Sequence, residues 1–170
     1  MRLLCSIALA AAACSGTADK VPANQTIALD REPVDIGAAF VGTVQNESLQ
    51  IINQGRATLT INSIKLTQPD GGVIPNAAAG GFDQPLIAAD GGTSSTALPL
   101  KIGGLGAGFV QFNWGPKTRG TKVAQLSIAS DDPSLPLLVT TVTGCAVPTD
   151  GGPSGCVCAD GGVPGADGGC

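Results

Sequence analysis

Apolar and polar side chains alternate with a period of two over much of the chain between residues 26 and 147. No stretch carries a convincing 3.6-residue period, whereas strict alternation is typical of half-buried β-strands. Runs of Gly, Pro, Asn and Asp separate these stretches, as turns do. The pattern therefore predicts an all-β domain over residues 26–147. Its clearest inward-facing positions are Leu59 and Ile61; Val110, Phe112 and Trp114; and Ala124, Leu126 and Ile128.

Breaks in the alternation predict where the strands bend and turn. The pattern slips by one position at Ser63, which indicates a β-bulge. The sequence Asn53-Gln54-Gly55 predicts a hairpin loop whose glycine supplies a positive φ. The sequence Asp131-Asp132-Pro133-Ser134 predicts a turn between the last two strands, capped by its carboxylates. We expect residues 69–95 to form long loops around one weak strand near 82–87.

A series of motifs follows in order along this domain. They are Val-Asp-Ile-Gly at 34–37, Phe-Val-Gly-Thr at 40–43, the stretch 49–55, Leu-Thr-Ile at 59–61, a glycine loop and strand at 106–116, the stretch 124–133, and Val-Thr-Gly-Cys at 142–145. This order resembles the ASH-type (abnormal spindle, SPD-2, hydin) immunoglobulin-like domain, whose bacterial members are often called choice-of-anchor D domains. The resemblance spans residues 33–146. It implies an immunoglobulin-like β-sandwich of seven to eight strands, serving as a scaffold or docking module without known catalytic residues.

The chain departs from the pattern of that family in three places. Trp114 stands where Phe is usual, the middle of the domain is long and rich in Gly and Ala, and Cys145 directly follows the closing Thr-Gly. These departures affect the loops and leave the expected sandwich unchanged.

The N-terminus predicts export. Arg2 precedes eleven apolar or small residues at 3–13. Eleven residues make about 16 Å of helix, roughly half of a bilayer core of about 30 Å. The segment is therefore too short to span a membrane, and it is typical of the apolar region of a signal peptide. We interpret residues 1–13 as that peptide.

The residues after this segment predict a lipid anchor at Cys14. Ala11-Ala12-Ala13-Cys14 resembles the lipobox of bacterial lipoproteins, although Leu is more frequent than Ala at the first position. A diacylglyceryl group on Cys14 would make residues 14–25 a lipidated, flexible tether and place the protein in the bacterial cell envelope. Ser15 favours the outer membrane by the same resemblance. Cleavage by ordinary signal peptidase, giving a secreted protein, and an uncleaved anchor are the alternatives.

The C-terminal residues 148–170 are rich in Gly, Asp and Cys and contain no Lys, Arg or aromatic residue. Such a segment buries too little surface to offset its ordering entropy, so we expect a flexible tail. In an exported protein, Cys145, Cys156, Cys158 and Cys170 are candidates for disulfides. A bridge within Cys-x-Cys is awkward, so we expect Cys145 to pair with Cys156 or Cys158, and Cys170 with the other. There are two alternatives: the four thiolates could bind a metal, or the thiols could stay free or form bonds between molecules.

Composition and charge narrow the possible functions. The 170 residues include 9 Lys and Arg, 13 Asp and Glu, and no His or Tyr, which gives a net charge of −4. Nucleic-acid binding through clustered cations therefore has little support, and nucleophiles paired with His are excluded. The Gly-rich residues 103–108 resemble the start of a dinucleotide-binding loop. Phe109 stands where the third glycine of that motif is required, so we interpret the stretch as a plain loop between strands. We expect no cofactor and no metal.

These observations favour a non-catalytic lipoprotein of the cell envelope. Its immunoglobulin-like module would bind or present a protein or a cell-wall component through loops or an edge strand, while the lipid contacts the membrane. One alternative is a secreted structural spacer without a partner. A second is a hydrolase that uses carboxylates such as Asp35 or Asp131.

Overall fold

The computed structural model of the chain describes residues 23–88, 97–150 and 155–156. The predicted signal peptide, Cys14, Cys158 and Cys170 lie outside these residues. Within them, no helix is long and apolar enough to cross a membrane.

Nine β-strands and one short 3₁₀-helix make up the regular structure of the described residues. In chain order the elements are β1 (Ile27–Leu29), β2 (Val34–Phe40), β3 (Gln45–Asn53), β4 (Leu59–Thr67), the 3₁₀-helix (Ala77–Ala79), β5 (Leu86–Ala88), β6 (Leu100–Ile102), β7 (Ala107–Trp114), β8 (Gly120–Ser130) and β9 (Leu137–Val147). The sequence predicts seven to eight strands. Because β1, β5 and β6 have three residues each, they are too short to show alternation in the sequence.

The strands form two sheets whose order is that of an immunoglobulin-like sandwich. One sheet has the order β1-β3-β7-β5 and the other β2-β9-β8-β4-β6. The first matches the A-B-E-D sheet of that fold, and the second matches A′-G-F-C with an added edge strand. Strand β2 pairs with β9 in parallel, whereas the other pairs are antiparallel. The predicted all-β sandwich is thus confirmed.

The core lies between the sheets and consists of the residues that the alternation points inward. Trp114 is completely buried, and Phe82 stacks on it with ring centroids 6.0 Å apart. The structure also assigns the inner faces of β3 and β9, which the sequence leaves open. The buried strand positions at the centre of the core include Leu49, Ile51, Leu59, Ile61, Val110, Phe112, Ala124, Leu126, Ile128, Leu138 and Val142.

The predicted bulge is present. Pairing between β4 and β8 shifts register between Ile61 and Ser63, and both Ile61 and Ile64 are buried on the same side. The predicted turn at 131–134 also joins two paired antiparallel strands, β8 and β9. In the stretch 69–95 the observed strand β5 begins at Leu86, later than the pattern predicts.

The predicted hairpin at Asn53-Gln54-Gly55 is wrong. Strand β3 belongs to one sheet and β4 to the other, so this loop crosses between the sheets. Gly55 has no positive φ. It is required for close approach, because a Cβ at this position would overlap the backbone carbonyl of Asn24. A crossing loop and a hairpin loop use the same turn residues, so local sequence does not distinguish them.

The sandwich has two ends that differ in chemistry. We call the near end the one where the chain enters β1, formed by residues 23–26 and the loops 53–58, 103–106 and 131–136. The far end is formed by the loops 41–44, 68–85 and 115–119 and by the residues after β9. Strands β7 and β9 both run from the near end to the far end, as their register with β3 and β2 shows.

Candidate binding surface at the far end of the sandwich

At the near end, one buried side chain joins three loops. Asn53 is completely buried at the end of β3. Its Oδ1 accepts hydrogen bonds from the backbone N–H groups of Thr26 at 3.2 Å and Gly55 at 3.0 Å. Its Nδ2 donates to the carbonyl oxygens of Ala57 at 2.7 Å and Ile102 at 3.1 Å. A single amide thus satisfies backbone groups that would otherwise be buried without partners.

The predicted turn carboxylates complete the near end. Asp132 is buried, and it accepts hydrogen bonds from the N–H groups of Ile27 at 2.9 Å and Ser134 at 2.8 Å, and from Leu135 at 3.2 Å. Burial alone raises the pKa of Asp132, but these three donors outweigh it and lower the pKa below its ordinary value. Asp131 accepts from Thr60 N–H at 2.8 Å. Both carboxylates therefore stabilise the turn between β8 and β9 and the segments beside it, as the sequence predicts.

The far end exposes two apolar side chains at the end of β2 and in the turn that follows it. Phe40, the last residue of β2, is 56% exposed, and Val44 in the following turn is 61% exposed. The N–H of Gly42 donates to the carbonyl of Pro116 at 2.8 Å, which joins this turn to the loop before β8. The two loops therefore form one continuous surface.

The end of β2 also offers unpaired backbone groups. Strand β2 is the edge of its sheet in the described part of the chain. The N–H of Val41 donates to the carbonyl of Val147 at 2.9 Å, so residues 39 and 41 direct their backbone groups toward β9. Because these groups alternate along a strand, the N–H and C=O of Ala38 and the N–H of Phe40 face outward. An open edge of this kind can accept an added strand.

A groove of about 250 Å³ lies beside this edge. Small-molecule sites usually measure about 300–1,000 Å³, so the groove fits a side chain of a partner better than a whole ligand. Within the described residues, the buried Oε1 of Gln45 has no hydrogen-bond partner. The groove is lined by Ala38, Ala39, Phe40, Thr43, Gln45 and Val147.

The loop that leads into β8 and the first residues of that strand carry a cluster of cations. Lys117 and Arg119 are exposed, and the ammonium group of Lys122 donates to Thr118 Oγ1 at 2.7 Å. In the part of the chain that the structure describes, both ion pairs belong to another residue, Arg31. This loop is therefore a positively charged rim in a protein whose net charge is −4. We call the groove, the open edge at 38–40, the exposed Phe40 and Val44, and this loop together the far-end surface.

Cys145 is bonded to Cys156, one of the two partners that the sequence leaves open. Cys145 stands in register with Ala38 of β2 and Thr121 of β8. Its neighbours along β9 point into the core, so its side chain lies on the outer face of the five-stranded sheet. The bridge thus fixes residue 156 beside the far-end surface. The second predicted bridge involves Cys158 and Cys170, which lie outside the described residues.

The carboxylates proposed for a hydrolase do not lie together. Asp35 stands in register with Thr143, whereas Asp131 precedes the first residue of β9. Six residues of β9 between Leu137 and Thr143 correspond to about 20 Å. Asp35 Oδ1 accepts from Gly37 N–H at 2.8 Å, which is a local turn contact. The described residues contain no group of three or more side chains able to hold a metal.

A second charged region lies where the chain passes from β1 to β2. Arg31 contacts Asp30 at 3.5 Å and Glu47 at 4.0 Å, and it donates to the carbonyl of Ser48 at 2.9 Å. Burial raises the pKa of Glu47; the cation of Arg31 opposes this shift and Asp35 adds to it. These contacts fix the crossover between the sheets.

No known protein-family model matches the chain, and no curated protein matches it in sequence. Several solved structures resemble its fold. A protein of unknown function from Porphyromonas gingivalis W83 is 18% identical, with a TM-score of 0.49, over 75% of this chain and 50% of its own. The ASH/PapD-like domain 7 of human CEP192 is 11% identical, with a TM-score of 0.47, and the match covers 84% of this chain and 99% of that domain. The periplasmic chaperone SfaE is 12% identical, with a TM-score of 0.46, and the match covers 73% of this chain and 57% of SfaE.

This chain therefore spans about half the length of the Porphyromonas gingivalis protein. All three TM-scores are below 0.5, so the assignment of the fold depends on the strand order of the chain itself. Membership of the ASH-type or choice-of-anchor D family stays a prediction.

Most of the far-end surface leaves no signal in the sequence. The alternation describes what is buried, and it gives no reason to expect Phe40 at the end of β2 to be exposed. The cations were countable, since three of the nine Lys and Arg residues fall within residues 117–122. The open edge at 38–40 depends on which strands become neighbours, which local sequence does not reveal.

Proposed function

We propose that this protein is a non-catalytic lipoprotein of the bacterial cell envelope that binds another envelope component through its far-end surface. The apolar segment at 3–13 and the lipobox-like sequence ending at Cys14 support the anchor. Ser15 supports the outer membrane. The immunoglobulin-like sandwich supports a binding or scaffold role, since such a fold presents edges and loops to partners.

One observation carries this proposal: the far end combines exposed apolar side chains with an open strand edge and a cluster of cations. The chain enters from its tether at the near end, where Asn53 and Asp132 satisfy the loops. Exposed Phe40 and Val44, the open edge and the cations lie at the other end. An anchor attached through residues 14–25 would therefore hold the near end toward the membrane and leave the far end accessible to a partner.

Site-specific photocrosslinking in native cells tests the binding surface. A benzoylphenylalanine at Val44 is expected to give a discrete protein or cell-wall adduct that the Phe40→Ser change removes. The matched control is the same group at Leu105, which is 63% exposed at the near end, close to the 61% of Val44. Equal adducts at both positions, or none at either, contradict a binding surface at the far end and favour the structural spacer.

The anchor is tested separately by intact-mass analysis of the membrane fraction. We expect a chain that starts at Cys14 and carries acyl groups, and a Cys14→Ser protein that no longer has this modification. Two acyl chains or more are needed for firm attachment. A mature chain without acyl mass in the culture medium would contradict the anchor and support secretion.

A further inference from the structure

Strand β2 lies open where other edges of the sandwich are blocked. Side chains bond outward backbone groups of three other edge segments, in β1, β3 and β4, as is common where a sheet must not pair further. These contacts are Asp132 with the N–H of Ile27 at 2.9 Å, Arg31 with the carbonyl of Ser48 at 2.9 Å, and Gln84 with the carbonyl and N–H of Leu66 at 3.0 and 3.3 Å. Among the described residues, no group bonds the outward N–H and C=O of Ala38 or the outward N–H of Phe40. The edge at 38–40 is therefore available for pairing.

This open edge is complementary to itself. When a second copy lies antiparallel with its Ala39 opposite Ala39, the N–H of Phe40 in each copy faces the carbonyl oxygen of Ala38 in the other, and the N–H of Ala38 faces the carbonyl oxygen of Phe40. Each β2 is already held extended by its pairing with β9. Pairing two copies therefore orders no flexible segment, which is the main cost of adding a flexible peptide as a strand.

The side chains of the edge fit the same arrangement. Ala38 and Phe40 point to the outer face of the sheet, on either side of the buried Ala39. Each Phe40 then lies opposite the small side chain of Ala38 in the other copy, and the two Phe40 residues are diagonal neighbours about 7–8 Å apart, within reach of ring contact. The ring that is 56% exposed in one copy is thereby covered in the pair.

The charges at this end are also complementary. Counting from Ala39, Asp35 of each copy lies opposite the 41–44 turn of the other. A backbone hydrogen bond joins this turn to the loop that carries the exposed Lys117 and Arg119. Asp35 is exposed as well. A carboxylate of one copy therefore faces cations of the other at both ends of the interface, which favours this pairing over one between like charges.

We propose that two copies of this chain pair through β2, antiparallel about a two-fold axis at Ala39, so that their five-stranded sheets form one continuous sheet. This inference rests on the proposed function, because it names a second copy as the component that the far-end surface binds. A two-fold interface contains each contact twice, so one substitution acts twice on the affinity.

Sedimentation equilibrium of the oxidised mature chain with Cys14→Ser tests the pairing without the lipid. We expect a reversible monomer–dimer equilibrium, and amide exchange at the N–H of Phe40 that slows as the protein concentration rises. The N–H of Val41 is the internal control, because it already donates to β9 within one copy. Phe40→Ser should weaken dimerisation by roughly 25-fold or more, since losing a central aromatic side chain costs at least about fivefold and occurs twice. Leu105→Asn, at the near end, should leave dimerisation unchanged.

Exchanging the charges gives a second, more specific test. Asp35→Lys alone and Arg119→Asp alone each place like charges against each other at both ends of the interface. Each protein should therefore dimerise more weakly than the unmodified chain by roughly 2- to 30-fold, the range for two exposed ion pairs. In an equal mixture, every substituted residue can face an opposite charge, so mixed dimers should form with nearly the unmodified affinity.

Each outcome decides the proposal. A chain that stays monomeric up to about 1 mM would overturn it. A dimer in which exchange at the Phe40 N–H does not change would also overturn it, and so would two charge variants that do not recover affinity on mixing. If the chain stays monomeric but Val44 crosslinks another protein or a cell-wall fragment in cells, only this inference fails. If the chain dimerises but Val44 gives no adduct in cells, only the proposed function fails.

Discussion

The near and far ends of this sandwich differ in the buried polar groups that hold their loops. At the near end, Asn53 and Asp132 are buried and each bonds several backbone groups. At the far end, Phe40 and Val44 are more than half exposed, and Gln45 Oε1 lacks a hydrogen-bond partner within the described residues. Satisfied polar groups stabilise a fold, whereas exposed apolar side chains do not. We therefore expect the near end to contribute more to stability, and we propose the far end as the binding surface.

The largest expected effect comes from replacing the amide that joins the near-end loops. Asn53→Ala removes partners from the N–H groups of Thr26 and Gly55 and from the carbonyls of Ala57, Ile102 and Gly103. Buried groups left without partners cost about 1–3 kcal/mol each before relaxation, so we expect a loss of roughly 3–5 kcal/mol in the free energy of unfolding. Urea denaturation measures this change.

Asn46→Ala is the control for that substitution. Asn46 is exposed and bonds only the side chain of Asn113, at 3.0 Å, so its replacement should cost under about 0.5 kcal/mol. Similar losses in the two variants would show that the near end is no more important for stability than an exposed sheet face.

The second-largest effect compares a glycine that is needed for close packing with one that is needed for its backbone conformation. Gly55→Ala would force a Cβ against the carbonyl of Asn24 and displace the chain before β1, so we expect a loss of about 2–3 kcal/mol. Gly42→Ala at the far end has open space but a φ of +86°. It should cost only about 1 kcal/mol. A larger loss for Gly42→Ala in thermal unfolding would reverse the order proposed for the two ends.

The third prediction concerns the free energy of unfolding at low pH. The folded-state pKa of Asp132 lies below its ordinary value of 3.8. The stabilisation is therefore present above that value and is lost as the pH falls through the folded pKa. In Asp132→Asn an N–H group would face the N–H of Ile27, so the variant should be about 1–2 kcal/mol less stable at pH 7. The difference between the two proteins should shrink at pH 2 to 3.

Asp131→Asn is the control, since its Oδ1 can still accept from Thr60 N–H. Its unfolding free energy at pH 7 should stay within about 0.5 kcal/mol of the unmodified protein. A difference between the Asp132→Asn and unmodified proteins that is constant from pH 7 to pH 2 would mean that the carboxylate does not contribute through its charge.

These two ends also show what the sequence predicts and what it does not. Alternation at Val110, Phe112 and Trp114 is confirmed because burial between two sheets imposes a period of two on any strand. The bulge at Ser63 follows from the same rule. The hairpin predicted at Asn53 is wrong because the same turn residues fit a loop between sheets, and only the pairing of distant strands distinguishes the two.

The candidate site was harder to predict, for a physical reason. A binding surface is defined by what remains exposed after folding, and Phe40 is exposed because it points to the outer face of its sheet, next to the buried Ala39. Three cations within residues 117–122 are visible in the sequence. Their position beside the 41–44 turn depends on the bond between Gly42 N–H and the Pro116 carbonyl, which joins residues far apart in the chain.

The smallest expected effect on stability is at the far end itself. Phe40→Ser and Val44→Ser remove side chains that are more than half exposed, so each should change the free energy of unfolding by no more than about 0.5 kcal/mol. Leu105→Asn is the near-end control, because Leu105 is equally exposed and asparagine tolerates its φ of 60°. All three proteins should unfold at nearly the same urea concentration. A loss above about 1.5 kcal/mol in Phe40→Ser would mean that this ring stabilises the sandwich, and its exposure would then no longer indicate a surface kept for a partner.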